Sequence, residues 1–241
     1  MMDPAYSGVY RELYTQHWWW RSREAMLLDV LRRRLSPSRQ RAILDVGCGG
    51  GFLFDQLAQF GEVEGVEADE SLIGDKHRER IHLARYDDDF DPGKAFSLIL
   101  MLDVLEHLPD PVSAVRHSLE LLEPDGLIVV TVPAFRLLWT GHDEINRHYT
   151  RYTKRTFREM ARKADLRIDC DRYFFHWVFP AKLARRLVET TFQLSPSVPR
   201  VPPGWINESL YLLSRTEHRV LGRLPIPFGS SLLVVGGRRG D

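Results

Sequence analysis

Short apolar runs alternate along the chain with segments whose apolar residues recur at helical spacing. Residues 41–46 are typical of a buried strand, whereas residues 23–35 show helical spacing and end at a Ser-Pro-Ser sequence. The first pattern predicts seven strands, at 41–46, 62–69, 80–86, 95–104, 126–135, 167–175 and 230–239. The second predicts helices at 23–35, 51–60, 110–126, 153–166, 179–192 and 208–222.

The alternation of strand and helix up to about residue 175 favours an α/β fold. A parallel sheet with right-handed crossovers and helices on both faces satisfies that order. Its strands are covered on both faces, which explains why they are almost continuously apolar. The sequence therefore predicts a doubly wound sheet.

Residues 176–227 depart from the alternation and are interpreted as an insertion before the last strand. They contain the amphipathic segment 179–192, a proline-rich connector at 195–205, and a helix that opens after Asn207 as its N-cap. The expected organisation is an N-terminal helical segment (1–40), a core (41–175), a helical insertion (176–227) and a final strand (228–241).

The charges are unevenly placed although the formal net charge of the 241 residues is zero. The first 146 residues carry 15 Lys and Arg against 25 Asp and Glu, whereas residues 147–223 carry 16 against 7. A neutral molecule is not an electrostatic nucleic-acid binder as a whole. The basic second half suggests an anionic acceptor or surface, and a solvated basic face is the simpler alternative.

Several classes of protein are excluded by what the sequence lacks. Cys48 and Cys170 form neither a disulfide framework nor a zinc motif, and no HExxH is present. The first residues show no secretory signal, and no run of 18 residues is free of charge, so we expect a cytoplasmic protein.

The chemistry centres on the sequence ILDVGCGGGF at 43–52, with glycines at positions 47, 49 and 51. These glycines follow a strand and open a helix, where a ligand can approach the backbone closely. No Lys follows, which argues against a nucleoside triphosphate. Phe52 stands where a dinucleotide fingerprint needs its third glycine, which disfavours a nicotinamide cofactor.

The pattern D-x-G-x-G-x-G resembles motif I of the class I S-adenosylmethionine-dependent methyltransferases. That resemblance implies S-adenosylmethionine as cofactor, bound by Asp45, Gly47, Gly49 and Gly51. It also implies a Rossmann-like doubly wound seven-stranded sheet, mostly parallel with a final antiparallel strand.

Three later segments extend the resemblance. In this family an acid ending the second strand takes the ribose hydroxyls, which implies Glu67, with Asp69 as the near alternative. An acid after the third strand meets the adenine, which implies Asp87 before Asp88. The sequence LDVLEHLPDP resembles the ubiquinone-biosynthesis-like branch of small-molecule methyltransferases, and it implies that Leu102 and Asp103 lie against the methionine portion.

An oxygen acceptor must lose a proton, so a base is sought in the long loop 133–153. His142 and His148 are the first candidates and His107 is the next, because imidazole titrates near neutral pH. Hydrogen bonding within the loop is the alternative role for each. Members of this family need no metal as a rule, some ubiquinone-type relatives use a divalent cation, and the sequence shows no unambiguous metal-ligand set.

Two further segments are candidates for ligand contact. Tyr14, Trp19 and Arg23 lie in an aromatic N-terminal stretch that relatives fold over the cofactor, although packing alone also explains such a cluster. The amphipathic segment 179–192 suits a membrane interface, a cap over a hydrophobic acceptor, a second subunit of a homodimer, or ordinary packing on the domain.

The resemblance implies an enzyme that moves a methyl group to an oxygen, or a nitrogen, of a small-molecule or lipid- or sugar-linked acceptor. A nicotinamide-dependent oxidoreductase and a non-catalytic S-adenosylmethionine-binding protein are the alternatives. Nucleic acid is not expected as a substrate, because no N-P-P-[YF] tetrapeptide follows the fourth strand.

Overall fold

The computed structural model describes residues 4–36, 38, 40–192, 199–222 and 224–240. Its strands are β1 Ala42–Val46, β2 Glu62–Glu67, β3 Ile81–Leu83, β4 Phe96–Leu102, β5 Leu122–Pro133, β6 Leu166–Phe174 and β7 Ser231–Arg238. They form one sheet in the order β3-β2-β1-β4-β5-β7-β6. Pairing is parallel from β3 to β5, and β7 runs antiparallel to both β5 and β6. The expected fold class is confirmed.

Helices cover both faces of this sheet. They are α1 Pro4–Gln16, α2 Trp18–Arg34, α3 Phe54–Leu57, α4 Pro111–Glu120, α5 Gly141–Ile145, α6 Lys154–Lys163, α7 Val178–Phe192 and α8 Gly204–Leu221. On β4, Ile99 and Met101 join the core under α4 and α6, whereas Leu98 and Leu100 join the core under α2 and α3. This alternation is the period-two pattern of a strand buried on both faces.

Two predicted helices are shorter in the structure. The helix predicted at 51–60 begins only at Phe54, because Gly51 has φ +70°, which an α-helix does not accommodate. The helix predicted at 110–126 ends at Glu120, and Leu122 already pairs with Phe96 as the first residue of β5. Pro124 and Gly126, which the sequence suggested as the end of a helix, therefore belong to β5.

The role predicted for Asn207 was wrong. Helix α8 begins at Gly204 after Pro203, so Asn207 lies inside the helix. Its side-chain nitrogen donates to the Gln16 carbonyl at 2.8 Å, and its oxygen accepts from the Trp18 backbone at 2.8 Å. Asn207 therefore ties α8 to the junction of α1 and α2.

Helix α7 is attached to the domain by polar contacts. Arg186 donates to the carbonyl oxygens of Arg136 and Leu137 at 2.8 and 2.6 Å, and Glu189 accepts from the Gly141 backbone at 3.2 Å. Its apolar residues Leu187, Val188 and Phe192 stay exposed. At the start of the helix, the ring of Phe179 packs on those of Phe135 and Phe228, with ring centres 5.5 Å apart in both cases. Ordinary apolar packing, one expectation for this segment, therefore holds only its first turn. The connector predicted at 195–205 lies partly outside the described residues.

None of the helices in the described ranges has the length and apolar character needed to cross a membrane.

Candidate functional site

A cavity of about 530 Å³ opens at the carboxyl ends of the parallel strands. It lies where the strand order reverses, between β1 and β4, which is the usual ligand position in open α/β sheets. Its wall contains these predicted residues: Trp19, Arg23, Gly47, Gly49, Glu67, Asp69, Leu102, Asp103, His107, His142 and His148. We call the part formed by β1, β2 and their following loops the glycine end, and the part formed by the loops after β4 and β5 together with α7 the histidine end.

Backbone geometry shapes the glycine end. Gly47 and Gly49 have φ values of +67° and +55°, a left-handed conformation that side chains disfavour. A Cβ atom at Gly47 would lie 2.9 Å from the Cγ2 atom of Val104, so the turn has no room for a side chain there. The main chain of this turn therefore lines the cavity without side chains in front of it, as the sequence pattern predicts.

Glu67 ends β2 with both carboxylate oxygens fixed. Oε2 accepts from the Gly49 backbone at 2.9 Å, and Oε1 accepts from the Asp69 backbone at 2.8 Å. Each oxygen retains acceptor capacity, which suits a pair of hydroxyl groups. Asp69 also lines the cavity, but its Oδ1 accepts from the backbone of Ser71 at 3.1 Å. Asp69 thus caps the short turn that follows β2, whereas Glu67 lies at the end of the strand.

Four predicted cofactor residues do not line the cavity. Asp45 is buried beneath it, and burial raises the pKa of its carboxyl to about 7. Gly51, with φ +70°, belongs to the turn behind the wall. Asp87 is exposed and accepts from the Asp89 backbone at 3.3 Å. Tyr14 packs on the ring of Phe52, with the centroids 4.8 Å apart.

The weaker alternative to Asp87 is also placed away from the cavity. Asp88 accepts a hydrogen bond from the hydroxyl of Ser113 at 2.7 Å, which ties the loop after β3 to α4.

Arg23 and Asp103 form an ion pair on the cavity wall. Asp103 has a left-handed φ of +57°, and its backbone nitrogen donates to Thr131 at 2.8 Å. The guanidinium of Arg23 lies 5.1 Å from the ring centre of Trp19, within cation–π range. The pair links α2 to the end of β4 and keeps a charged group of each sign beside Leu102.

A buried charge cluster supports the histidine end. Asp143 is fully buried and accepts from Arg151 Nε at 2.7 Å and from His148 Nδ1 at 2.8 Å. Burial opposes ionisation of Asp143, but the hydrogen bonds from His148 and Arg151 outweigh it and hold the pKa of this carboxyl well below its usual range. An ionised carboxylate only accepts, so His148 carries its proton on Nδ1 and leaves Nε2 as the basic nitrogen.

Burial disfavours the protonated form of the other two histidines. Burial, followed by the nearby His148, lowers the pKa of His107 to about 4. Burial, followed by the charge of Lys182, lowers the pKa of His142 to about 3. The Asn146 amide approaches the His142 ring at 3.2 Å, so that ring has a role in the loop itself.

Three side chains at the histidine end can share a metal ion. One ligand atom from each of Glu106, His107 and His148 lies within 4.8 Å of the other two. Burial raises the pKa of Glu106 to about 8, and its Oε2 atom finds no hydrogen-bond partner among the described residues. A carboxylate with two imidazoles suits a divalent transition metal. Sequence spacing did not show this set, because Glu106 and His107 lie on the loop after β4 whereas His148 lies on the loop after β5.

Several wall residues escaped the sequence analysis. They are Tyr10, Trp20, Glu106, Asn146, Arg147 and Arg151. The sequence offers one indication for Arg151, which begins the Arg-Tyr-Thr sequence at the end of the loop after β5. Lys182 was visible only as one of the basic residues of an amphipathic helix, and the structure places it in the cavity wall.

Comparison with known proteins places this cavity in context. A family model described as a methyltransferase domain matches residues 17–171. The ubiquinone biosynthesis O-methyltransferase of Azorhizobium caulinodans is 31% identical over 141 residues, which cover 51% of this chain and 54% of that protein. The chain thus spans about half the length of this curated relative.

Two solved structures share the fold at low identity. The [4+2]-cyclase SpnF has a TM-score of 0.60 at 19% identity and covers 99% of this chain and 95% of its own. A TehB-like S-adenosylmethionine-dependent methyltransferase from Corynebacterium glutamicum has a TM-score of 0.54 at 19% identity, covering 98% of this chain and all of its own. One fold thus serves a cyclase and a methyltransferase, so function must be argued from the site.

Proposed function

Because the chain belongs to the methyltransferase-domain family of S-adenosylmethionine-dependent proteins, we propose that it transfers a methyl group from this cofactor to a hydroxyl oxygen of a small molecule. The name of the curated relative supports oxygen as the acceptor atom. The observation that carries the proposal is the Asp143–His148 pair, because His148 bonds to Asp143 through Nδ1 and lines the cavity that Glu67 also lines.

The glycine end fits S-adenosylmethionine. Gly47 and Gly49 leave the backbone uncovered, and Glu67 presents a carboxylate held by two backbone groups. The cavity volume of about 530 Å³ lies in the range of ligand sites, about 300–1,000 Å³. When bound, S-adenosylmethionine supplies an electrophilic methyl group on a sulfonium. Arg23, Leu102 and Asp103 would face the methionine portion.

His148 is the base in this proposal. Its Nε2 atom takes the proton of the acceptor hydroxyl while that oxygen forms its bond to the methyl carbon and the sulfur–carbon bond breaks. Asp143 fixes the tautomer and orientation of the imidazole and stabilises the imidazolium that forms. Positioning and exclusion of water supply the rest of the rate, since the donor is already reactive.

A divalent cation held by Glu106, His107 and His148 is the second way to ionise the acceptor that the geometry allows. It would supply Lewis acidity to a hydroxyl oxygen, and His148 would then act as a ligand instead of a base. Transfer in the presence of EDTA separates the two mechanisms. Loss of activity that a divalent cation restores supports the cation, and unchanged activity supports His148.

The test replaces His148 with Gln and follows methyl transfer from labelled S-adenosylmethionine to catechol and 3,4-dihydroxybenzoate. We expect transfer to fall by about 10²–10⁴-fold, because a positioned base contributes that much. Binding of S-adenosylhomocysteine, followed by calorimetry, should not change. The matched control is His82→Gln, since His82 also pairs with a carboxylate, Glu64 at 2.9 Å, but lies outside the cavity wall.

Two results contradict the proposal. If the His148→Gln variant transfers methyl groups at the wild-type rate, His148 is not the base. A wild-type protein that binds S-adenosylhomocysteine but transfers no methyl group to any hydroxylated acceptor supports the non-catalytic alternative.

The roles predicted for the flanking segments remain proposals. Tyr10, Trp19 and Trp20 line the cavity from the first two helices, which supports a lid over the cofactor. Lys182 lines it from α7, which supports a cap over the acceptor. The exposed apolar residues of α7 are compatible with the predicted membrane contact or homodimer, and vesicle sedimentation and solution mass measure these two respectively.

A further inference from the structure

The histidine end carries positive charge that is not paired. Its cations are Arg147, Arg151 and Lys182, of which Arg151 pairs with Asp143. The acids on this part of the wall are Glu106 and Asp103, and Asp103 pairs with Arg23. Within the described ranges, neither Arg147 nor Lys182 forms an ion pair. Two cations therefore line the cavity with no carboxylate of the described residues at ion-pair distance.

Lys182 is held at the cavity by the way α7 is attached. Arg186 lies one turn further along the same helix face and is bound to the carbonyl oxygens of Arg136 and Leu137. Glu189, a further turn on, binds the backbone of Gly141. Lys182 shares the cavity wall with His142, and burial lowers the pKa of its ammonium group to about 7. An anion bound there would offset the cost of that burial.

Arg147 occupies a backbone position that suits another residue. Its φ of +53° is left-handed, and it follows the last turn of α5, where glycine is the preferred residue. An arginine in this conformation is strained, and such strain persists where a side chain has a function. The exposed side chain of Arg147 lines the cavity beside His148. This position makes the guanidinium group of Arg147 available to a ligand in the cavity.

We propose that the methyl acceptor carries a carboxylate or phosphate group, which Lys182 and Arg147 bind while its hydroxyl faces His148. The proposal rests on the proposed function and adds the chemical class of the acceptor. The anion orients the acceptor and is not itself methylated. Arg147 offers a planar fork for two anion oxygens, and Lys182 offers a point charge.

The experiment titrates protein saturated with S-adenosylhomocysteine by calorimetry, with EDTA present. The probes are catechol, 3,4-dihydroxybenzoate, which adds only a carboxylate, and inorganic phosphate. We expect the benzoate to bind at least about tenfold more tightly than catechol, because a charge-assisted contact is gained. Phosphate should bind and compete with the benzoate.

Two variants localise the effect. Lys182→Met and Arg147→Gly should each remove most of the preference for the benzoate and weaken phosphate binding. Arg147→Gly suits the left-handed backbone, so its thermal midpoint should equal or exceed that of the wild type. Lys163→Met, which removes an exposed lysine from α6, is the control and should keep the preference.

Equal affinity for catechol and the benzoate, or no binding of either anion at millimolar concentration, would overturn the proposal. A preference that survives in both variants overturns it as well, since the anion then binds elsewhere. Failure of the proposed function is seen separately: S-adenosylhomocysteine would not bind, or the His148→Gln variant would transfer methyl groups at the wild-type rate.

Discussion

The glycine end and the histidine end of the cavity are built in different ways. At the glycine end, the wall is backbone from one short turn, and Glu67 is held by the main-chain nitrogens of Gly49 in that turn and of Asp69. At the histidine end, the wall is side chains from separate segments, represented by His107, His148 and Lys182. Backbone conformation shapes one end, and side-chain contacts shape the other.

This difference separates a general site from a selective one. A backbone turn binds what every member of such a family would share, and it leaves little to vary. Side chains on loops and on an added helix can change without disturbing the sheet, which is how one fold supports many acceptors. We therefore expect the histidine end to determine which acceptor is methylated.

The largest effect expected is on stability, at the charge cluster of the histidine end. Asp143→Asn would leave the buried Arg151 without its partner and should lower the free energy of unfolding by about 3–5 kcal/mol. The control Glu208→Gln removes the carboxylate of an exposed pair with Arg21, at 2.9 Å, and should cost less than about 1 kcal/mol. Urea unfolding of the three proteins measures both differences.

The same variant has a defined pH dependence. The folded-state pKa of Asp143 is lowered, so its contribution is present above the unfolded value of about 4 and is lost as the pH falls towards the folded value. The difference between wild type and Asp143→Asn should therefore be constant at neutral pH and narrow below about pH 4. A difference below about 1 kcal/mol at neutral pH would show that the cluster adds no more than a surface pair.

At the glycine end, Glu67→Ala should weaken binding of S-adenosylhomocysteine by about 100-fold, or about 2.7 kcal/mol, because two hydrogen bonds to a carboxylate are lost. Asp69→Ala is the matched control and should change the affinity only a few-fold. Calorimetric titration measures both. The reverse result would assign the ribose contact to Asp69, the alternative that the sequence left open.

The two ends also differ in how far sequence reasoning reached. The succession of strands and helices along the chain, the glycine turn and the position of Glu67 at the end of β2 were predictable, because each can be recognised from one short segment. The pairs Asp143–Arg151 and His107–His148 join residues that no spacing rule connects, the second with ring centres 4.6 Å apart. The position of Lys182 follows from how α7 docks on the loop after β5, which periodicity alone does not determine.

The smallest effect expected concerns Lys182, and it tests whether the histidine end sacrifices stability for binding. Burial lowers its folded-state pKa to about 7, against about 10.4 in an unfolded chain. Lys182→Met removes a cation that is costly to bury, so the variant should be more stable than wild type at pH 6. The difference should be about 1 kcal/mol, because the side chain is only partly buried.

Between pH 7 and about 10.4 the unfolded wild type binds more protons than the folded form, so wild-type stability rises with pH. The advantage of the Met variant should therefore shrink over that range and disappear near its upper limit. Urea unfolding at pH 6 and at about pH 10.4 measures this change. A variant less stable than wild type at pH 6 would show instead that Lys182 is a structural residue.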